Sequence, residues 1–331
     1  MSHAPAAGDG DSRPTVLMNV TAGRRGAQGA RHLAEQLAEA GWPARVQRSR
    51  PDRLEAAVRD QRANGASVIT VAGGDGTIRT AAQALAGDEH AALAVVPTGT
   101  LNNFARRLGI YSLEDAVATL RAGHTEPLAV GTVGERVFLN TATFGLYADV
   151  VRRRERWRRV IGRWPAALTA FLVAIARDRP IAVELDIDGR RIVRTTALVW
   201  VGVGYGSFPV VHDAREQRTS PDLEVAILRK CGRLALLGFG TRMLAGLARG
   251  RRPIRDDAIE VLHTRRFTLD AGRHGVGMTL DGEATRVRGP AHIAVRDDAL
   301  RVVTATRNVG QPEDALRPLR GQADRRTHRS R

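Results

Sequence analysis

Lysine and cysteine are almost missing from this 331-residue chain, and each scarcity excludes a class of protein. Lys230 is the only lysine, so the chain has neither the Gly-Lys-Ser/Thr of a Walker A loop nor the strand lysine of a protein kinase. Cys231 is the only cysteine, which excludes an intrachain disulfide and a cysteine-rich zinc site. Any phosphoryl transfer therefore has to use backbone amides, arginines and metal.

Long apolar runs and aromatic residues are also scarce. No segment reaches the roughly 20 apolar residues that a membrane-spanning helix needs. The first 14 residues lack the apolar stretch of a signal peptide. These absences predict a cytoplasmic protein. Because aromatic residues make up only 4% of the chain, aliphatic side chains must form most of its core.

Positive charge, by contrast, is abundant: the formal net charge is +16, nearly all of it from arginine. Such a balance indicates an anionic partner, which can be nucleic acid, an anionic membrane or a phosphorylated ligand. A genome that prefers arginine codons explains the choice of arginine over lysine equally well. No nucleic-acid reader motif is present, so nucleic-acid binding is the weakest of these interpretations and we expect none.

Two segments combine apolar residues with dense arginine. Residues 152–159 (RRRERWRR) precede the apolar run 164–176, and the apolar run 234–248 precedes residues 249–252 (RGRR). Both patterns are typical of a helix that lies in the interface of an anionic membrane. Helices packed in the fold with a solvated arginine face would give the same patterns. The two interpretations stay open.

Strands and helices alternate up to residue 126, which predicts a doubly wound, mostly parallel α/β sheet. The predicted strands there cover residues 15–19, 44–47, 68–71 and 93–96, and the predicted helices cover 27–40, 52–64, 101–106 and 113–121. Short strands dominate from residue 127 onwards, with helices inserted at about 149–178 and 233–248, and they predict an antiparallel β-sandwich domain. We expect domains at 14–126 and 127–305, a disordered start at 1–13 and a disordered basic tail at 306–331.

The sequence VITVAGGDGT at residues 68–77 organises the first domain. A β-branched run ends in Gly73, Gly74, Asp75, Gly76 and Thr77, and a helical pattern follows for which Thr77 is the predicted N-cap. Glycines at a strand-to-helix turn let the backbone approach a ligand, and a helix N-terminus favours an anion such as phosphate. A tight turn that needs glycine for steric reasons would look the same.

A second turn of this kind argues against the interpretation that the glycines are needed for steric reasons alone. The strand at 93–96 ends in Pro97-Thr98-Gly99-Thr100, and a helical pattern follows. In parallel sheets, ligands bind outside the carboxyl ends of the strands, where both turns fall. Late in the chain, Asp281-Gly282-Glu283 presents two carboxylates at the end of a strand, although a hairpin turn alone would explain them.

In this order, the GGDGT, PTGTLN and DGE motifs resemble the diacylglycerol kinase catalytic-domain family of bacterial lipid kinases, to which sphingosine kinases are related. The likeness runs from about Val16 to Val303 and includes residues 138–145. NAD kinases and phosphofructokinases have similar glycine loops, and the resemblance implies a first domain of their type. The PTGTLN continuation and the late DGE favour a lipid kinase.

The resemblance implies ATP and Mg²⁺ as cofactors and a diacylglycerol-like lipid alcohol as substrate. Glu283 would act as the base and Asp281 as its partner toward magnesium or the phosphates, although the two roles could be exchanged. It also implies peripheral association with the inner face of the membrane, and it leaves a homodimer possible. The residues that would bind the nucleotide are Asn19, Gly73, Gly74, Asp75, Gly76, Thr77, Gly99, Thr100 and Asn102.

The chain departs from the family pattern at three places. Val20 follows Asn19 where the family has proline, and Asn103 stands where the family has aspartate. Ser220 replaces a carboxylate in a stretch that the family ties to a structural magnesium, and serine is a weaker ligand for this hard cation. Asp222 or Glu224 could serve there instead.

Two alternatives to a lipid kinase stay open. One is a kinase of a soluble acceptor, similar to an NAD kinase. The other is a lipid- or nucleotide-binding protein without turnover, against which the two carboxylates of the DGE motif argue.

Overall fold

The computed structural model describes residues 13–20, 24–148, 150–152, 181–187, 190–204, 222–228, 238, 259–270 and 275–305. Several predictions fall outside this part of the chain. They are nearly all of the disordered termini, of the arginine-rich segments with their apolar runs, and of the helices at about 149–178 and 233–248, together with Ser220.

The N-terminal part alternates strands and helices as the sequence predicts. The strands are β1 (Thr15–Asn19), β2 (Arg45–Ser49), β3 (Val68–Gly73) and β4 (Ala92–Pro97). The helices are α1 (Arg24–Glu39), α2 (Leu54–Ala63), α3 (Asp75–Leu85), α4 (Asn103–Arg107) and α5 (Leu113–Ala122). Ser112 caps α5 in a capping box with Asp115, and Gly123 ends it in the left-handed conformation.

The remaining strands follow from residue 124 onwards. They are β5 (His124–Val133), β6 (Arg136–Phe138), β7 (Thr141–Gly145), β8 (Ile181–Ile187), β9 (Arg190–Thr196), β10 (Leu198–Val203), β11 (Leu223–Leu228), β12 (Ile259–Thr264), β13 (Arg266–Asp270), β14 (Val276–Leu280), β15 (Glu283–Val287) and β16 (Pro290–Thr304). Residues 190–203 form two strands, because the chain leaves the β8–β9 pair after Thr196 and enters another sheet at Leu198.

An eight-stranded sheet forms the first layer. Its order is β2-β1-β3-β4-β16-β5-β6, with β13 also paired to β16. The pairs from β2 through to β16 are parallel, whereas β5 and β13 run antiparallel to β16. The strand order reverses between β1 and β3, so the carboxyl ends of these two strands flank the crevice where ligands of such sheets bind.

The last strand, β16, lies between β4 and β5 in this sheet. The boundary predicted between residues 126 and 127 falls inside β5, and the first sheet continues across it. A strand from the end of the described chain therefore completes the sheet that carries both glycine turns.

A second sheet, of order β12-β11-β10-β7-β14-β15, is antiparallel. One apolar core lies between the first sheet and its helices and includes Phe104 of α4. Another contains Phe138, Phe144 and Ile293, which come from both sheets, so the sheets pack face to face over it. The fold class predicted from the sequence is confirmed: a mostly parallel α/β part and an antiparallel β part.

Candidate active site

The first glycine turn forms the N-terminus of α3. The helix begins at Asp75 with Gly74 as its N-cap, and no side chain caps it. Its first helical hydrogen bond runs from the Ile78 N–H to the Gly74 carbonyl, at 3.0 Å. The N–H groups of residues 75–77 precede that bond and lie at the positive end of the helix dipole, an arrangement that favours an anion.

The predicted N-cap role of Thr77 is wrong, because Asp75 and Gly76 are already helical. Thr77 has a different function in the turn. Its hydroxyl accepts a hydrogen bond of 2.9 Å from Asn19 Nδ2 at the end of β1. The Thr77 side chain also covers Gly73, where a Cβ would stand 2.4 Å from Thr77 Cβ. The bond therefore ties the end of β1 to the first turn of α3, the helix that follows β3 at the topological switch.

The second glycine turn lies directly against the first. A Cβ on Gly99 would stand 2.4 Å from Gly74 Cα, so only glycine permits the observed approach of the two backbones. Asn102 stabilises the turn from a left-handed conformation, with φ of 51°. Its Oδ1 accepts from the Gly99 N–H at 2.9 Å, and its Nδ2 donates to the Gly99 carbonyl at 3.0 Å. Thr100 follows Gly99 and is exposed.

Asp75 connects the first turn to α4, because its Oδ1 accepts the Phe104 N–H at 2.9 Å. Phe104 is completely buried in the core below the turns. Asp75 thereby holds the helix that follows the second turn in a fixed position relative to the first.

The Asp-Gly-Glu turn connects β14 to β15, and its two carboxylates have different environments. Asp281 has a left-handed conformation, with φ of 48°, and accepts three backbone hydrogen bonds: its Oδ2 from Leu139 at 2.8 Å, and its Oδ1 from Asn140 at 2.8 Å and Thr141 at 3.0 Å. Burial raises the pKa of this carboxyl, and the three hydrogen bonds oppose that rise. Asp281 therefore holds residues 139–141 in place.

Glu283, in contrast, is 56% exposed at its side chain and faces the first glycine turn. A Cβ on Gly76 would stand 2.1 Å from Glu283 Oε1. The other carboxylate oxygen, Oε2, accepts a hydrogen bond from the Arg79 guanidinium of α3. The structure thus brings together all three predicted motifs, GGDGT, PTGT and DGE, although the last is distant from the others in sequence.

Two arginines of this site were not predicted from the sequence. Arg79 pairs with Glu283, and Arg107 at the end of α4 donates to the Leu139 carbonyl at 2.8 Å, next to the N–H that binds Asp281. Burial lowers the pKa of Arg107, and the charge of Asp281 opposes this shift. Each arginine lies within a few residues of a glycine motif. Because the chain has 50 arginines, such proximity does not identify a residue of the site.

Of the residues expected near a structural magnesium, the structure describes Asp222 and Glu224. Asp222 Oδ1 lies 3.8 Å from Arg265 Nη1, and the same guanidinium also pairs with Asp297. Glu224 is only 4% exposed, and its Oε1 has no hydrogen-bond partner among the described residues. Burial raises its pKa to about 7. Within the described ranges, no three histidine, cysteine or acidic side chains are placed to hold a metal ion.

The two-sheet fold is that of diacylglycerol kinases of known structure. A crystal structure of a diacylglycerol kinase from Bacillus anthracis strain Sterne superposes with a TM-score of 0.57 and 18% identity, covering 88% of this chain and 96% of that one. A second structure from that organism gives a TM-score of 0.63 at 19% identity, with 88% and 97% covered. Identities this low establish the fold alone.

The sequence defines the family more closely, since residues 13–133 match the model of the diacylglycerol kinase catalytic domain. This match includes the GGDGT and PTGTLN motifs, and the resemblance seen in the motifs is confirmed. It is 35% identical over 156 residues to a "Probable lipid kinase YegS-like" of Pseudomonas aeruginosa strain UCBPP-PA14, which is 45% of this chain and 49% of the relative. It is also 32% identical over 127 residues to a "Diacylglycerol kinase" of Bacillus subtilis strain 168, 37% of this chain and 42% of that one. The chain spans about half the length of these relatives or less.

The length and composition of the helices decide whether any of them can cross a membrane. None of the helices in the described ranges combines the length and the apolar character that crossing a bilayer requires.

Proposed function

We propose that the chain is an ATP-dependent lipid kinase, which transfers the γ-phosphate of ATP to the hydroxyl of diacylglycerol or a related membrane lipid alcohol. The observation that carries the proposal is the contact between Glu283 and Gly76, which places a carboxylate beside a turn suited to phosphate. A reacting hydroxyl between them would have a proton acceptor on one side and a phosphate on the other.

In this proposal the two glycine turns bind the ATP phosphates. The uncapped N-terminus of α3 supplies N–H groups, and Gly99 and Thr100 approach from the neighbouring turn. Asn19 lines the nucleotide pocket and keeps the Thr77 hydroxyl in position through its hydrogen bond. A Mg²⁺ ion bound to the nucleotide would neutralise part of the charge on these phosphates.

Glu283 acts as the general base in the proposed reaction. Its carboxylate takes the proton of the lipid hydroxyl, the hydroxyl oxygen forms a bond to the γ-phosphorus, and the bond from that phosphorus to the bridging oxygen of ADP breaks. Asp281 has a positioning role, because three backbone N–H groups already occupy its oxygens. The geometry thus favours the division of roles in which Glu283, not Asp281, contacts the substrate.

Exposed side chains lie close in sequence to the second glycine turn. Leu101, directly after the second turn, is 63% exposed, and Tyr111 after α4 is 49% exposed. Arg106 lies over the Tyr111 ring, 5.7 Å from its centroid. Apolar side chains and a cation next to the phosphate site suit an anionic membrane surface. We propose peripheral association with the inner face of the membrane on this basis.

The test is transfer of labelled γ-phosphate from ATP to diacylglycerol in mixed micelles that contain an anionic lipid. We expect transfer by the wild type and its loss in Glu283→Gln, which keeps the side-chain volume but not the base. Glu55→Gln is the matched control, because Glu55 is likewise paired with an arginine but lies on α2. Binding of ATP without phosphorylation of any lipid alcohol would contradict the proposal, and activity that persists without lipid or detergent would indicate a soluble acceptor.

A further inference from the structure

Helix α3 presents one polar face to the second half of the chain. Gly76, Arg79 and Gln83 follow one another at the spacing of three and four residues that places side chains on the same side of a helix. Gln83 Oε1 accepts the Val137 N–H at 2.8 Å, and its Nε2 donates to the Glu135 carbonyl at 3.0 Å. The lower end of this face is therefore fixed to β6 and the turn before it.

Arg79 occupies the middle of that face and reaches toward the helix N-terminus, as long helical side chains do. Its guanidinium donates through Nη2 to Glu283, 204 positions later in the chain. The Arg79 side chain is only 17% exposed, and its Nε is buried without a hydrogen-bond partner among the described residues. Burying a guanidinium without a partner for each of its N–H groups costs free energy. The packing of the neighbouring residues must therefore hold Arg79 in this position.

The charges around Arg79 explain what it can do there. Glu283 lies against the turn at Gly76, the same turn in which the proposed function places the ATP phosphates. A carboxylate so close to a polyphosphate repels it. Arg79 is the cation that pairs with this carboxylate, and its charge also opposes the rise that burial causes in the pKa of Asp281.

We propose that Arg79 is a positioning residue, which holds Glu283 beside the first glycine turn and neutralises its charge so that ATP and the carboxylate can occupy adjacent places. This inference rests on the proposed function, since it assumes that phosphate binds at residues 73–77. Arg79 acts through Glu283 and makes no contact with ATP itself.

A double-mutant cycle on nucleotide affinity tests this role without any need for lipid turnover. The dissociation constant of MgATP is measured by calorimetry for wild type, Arg79→Gln, Glu283→Gln and the double variant. Removing Arg79 leaves an unpaired carboxylate, so we expect Arg79→Gln to weaken MgATP binding by about five- to tenfold in the wild-type background. With Glu283→Gln already in place, the same change should alter the affinity less than about twofold, because no carboxylate remains to be neutralised.

Two further variants separate this role from a general loss of structure. Arg79→Lys keeps the positive charge and should restore most of the affinity, which a purely structural requirement for the guanidinium would not allow. Arg59→Gln removes an exposed arginine that pairs with Glu55 on α2 and should leave MgATP affinity unchanged.

The possible results are distinct. An equal loss of affinity in both Glu283 backgrounds would mean that Arg79 binds phosphate directly and would overturn the positioning role, as would no loss in either. Failure of the wild type to bind MgATP would overturn the proposed function and this inference together, whereas binding without lipid phosphorylation would leave the Arg79 cycle interpretable and contradict only the kinase activity.

Discussion

Glu283 lies against Gly76 so closely that a Cβ on the glycine would stand 2.1 Å from the Glu283 Oε1 atom. Gly76 lies in the first turn of α3, and Glu283 is the first residue of β15. No side chain larger than hydrogen fits at Gly76 without displacing the carboxylate. The proposed base can therefore lie this close to the proposed phosphate site only because residue 76 has no side chain.

This contact predicts the effect of Gly76→Ala. The added methyl group meets the far end of an exposed side chain, so Glu283 can swing away and the fold should keep its stability within about 1 kcal/mol. Phosphate transfer should fall by about 100-fold, because a displacement of about 1 Å is enough to spoil a reacting geometry. Transfer to diacylglycerol and the thermal midpoint are measured together. Gly29→Ala on α1, whose Cβ would stand 3.6 Å from Met18 Cε, is the control and should retain activity.

Gly99→Ala should have a different effect, since its Cβ would stand 2.4 Å from the backbone of Gly74. A backbone atom cannot rotate away as a side chain can, so the two turns have to separate. We expect a loss of about 1–3 kcal/mol in the free energy of unfolding and a parallel loss of ATP affinity. Denaturant titration and calorimetry measure the two quantities. If Gly99→Ala bound ATP as tightly as the wild type, the close approach of the turns would not matter for the nucleotide.

The hydrogen bonds of Asp281 predict a structural effect of Asp281→Asn. An asparagine amide offers one acceptor oxygen where the carboxylate offers two, so at least one of the three backbone N–H groups loses its partner. We expect a cost of about 1–3 kcal/mol in the free energy of unfolding. Asp298→Asn is a close control, because Asp298 has the same φ of 48° but is exposed. Equal stability of the two variants would contradict the role assigned to Asp281.

Glu224 should make the stability of the protein depend on pH. Burial raises its pKa to about 7 in the folded state, from 4.5, so the folded protein favours the protonated form. Its contribution is complete below pH 4.5 and is lost as the pH rises from about 4.5 to 7. At pH 8, Glu224→Gln should be more stable than the wild type by up to about 3 kcal/mol, and at pH 4 the two should be similar. A difference that does not change with pH would show that Glu224 is not buried as described.

The sequence was sufficient to predict the local parts of the site. Gly73–Gly76 had to follow a buried strand, and Asn102 and Asp281 lie in motifs whose order matched a family. The sequence could not predict the contacts between these parts, because the residues that make them are far apart along the chain. The spacing of Gly76, Arg79 and Gln83 shows a common helix face, but only the packing of β15 and β6 against α3 shows what that face binds. The N-cap of α3 was misplaced for a related reason: Thr77 is a good cap by type, and its hydroxyl is used by Asn19 instead.

The position of β16 has a consequence for how this protein is made. When a ribosome has synthesised the segment that matches the family, residues 13–133, the strands β4 and β5 have no partner between them. Both keep an open edge until residues 290–304 emerge, and open edges invite pairing with other chains. The half that carries the glycine turns thus completes its folding only after the carboxylate turn has been synthesised. Residues 13–133 mark a unit of sequence similarity, and a fragment cut there would lack the strand that joins its sheet.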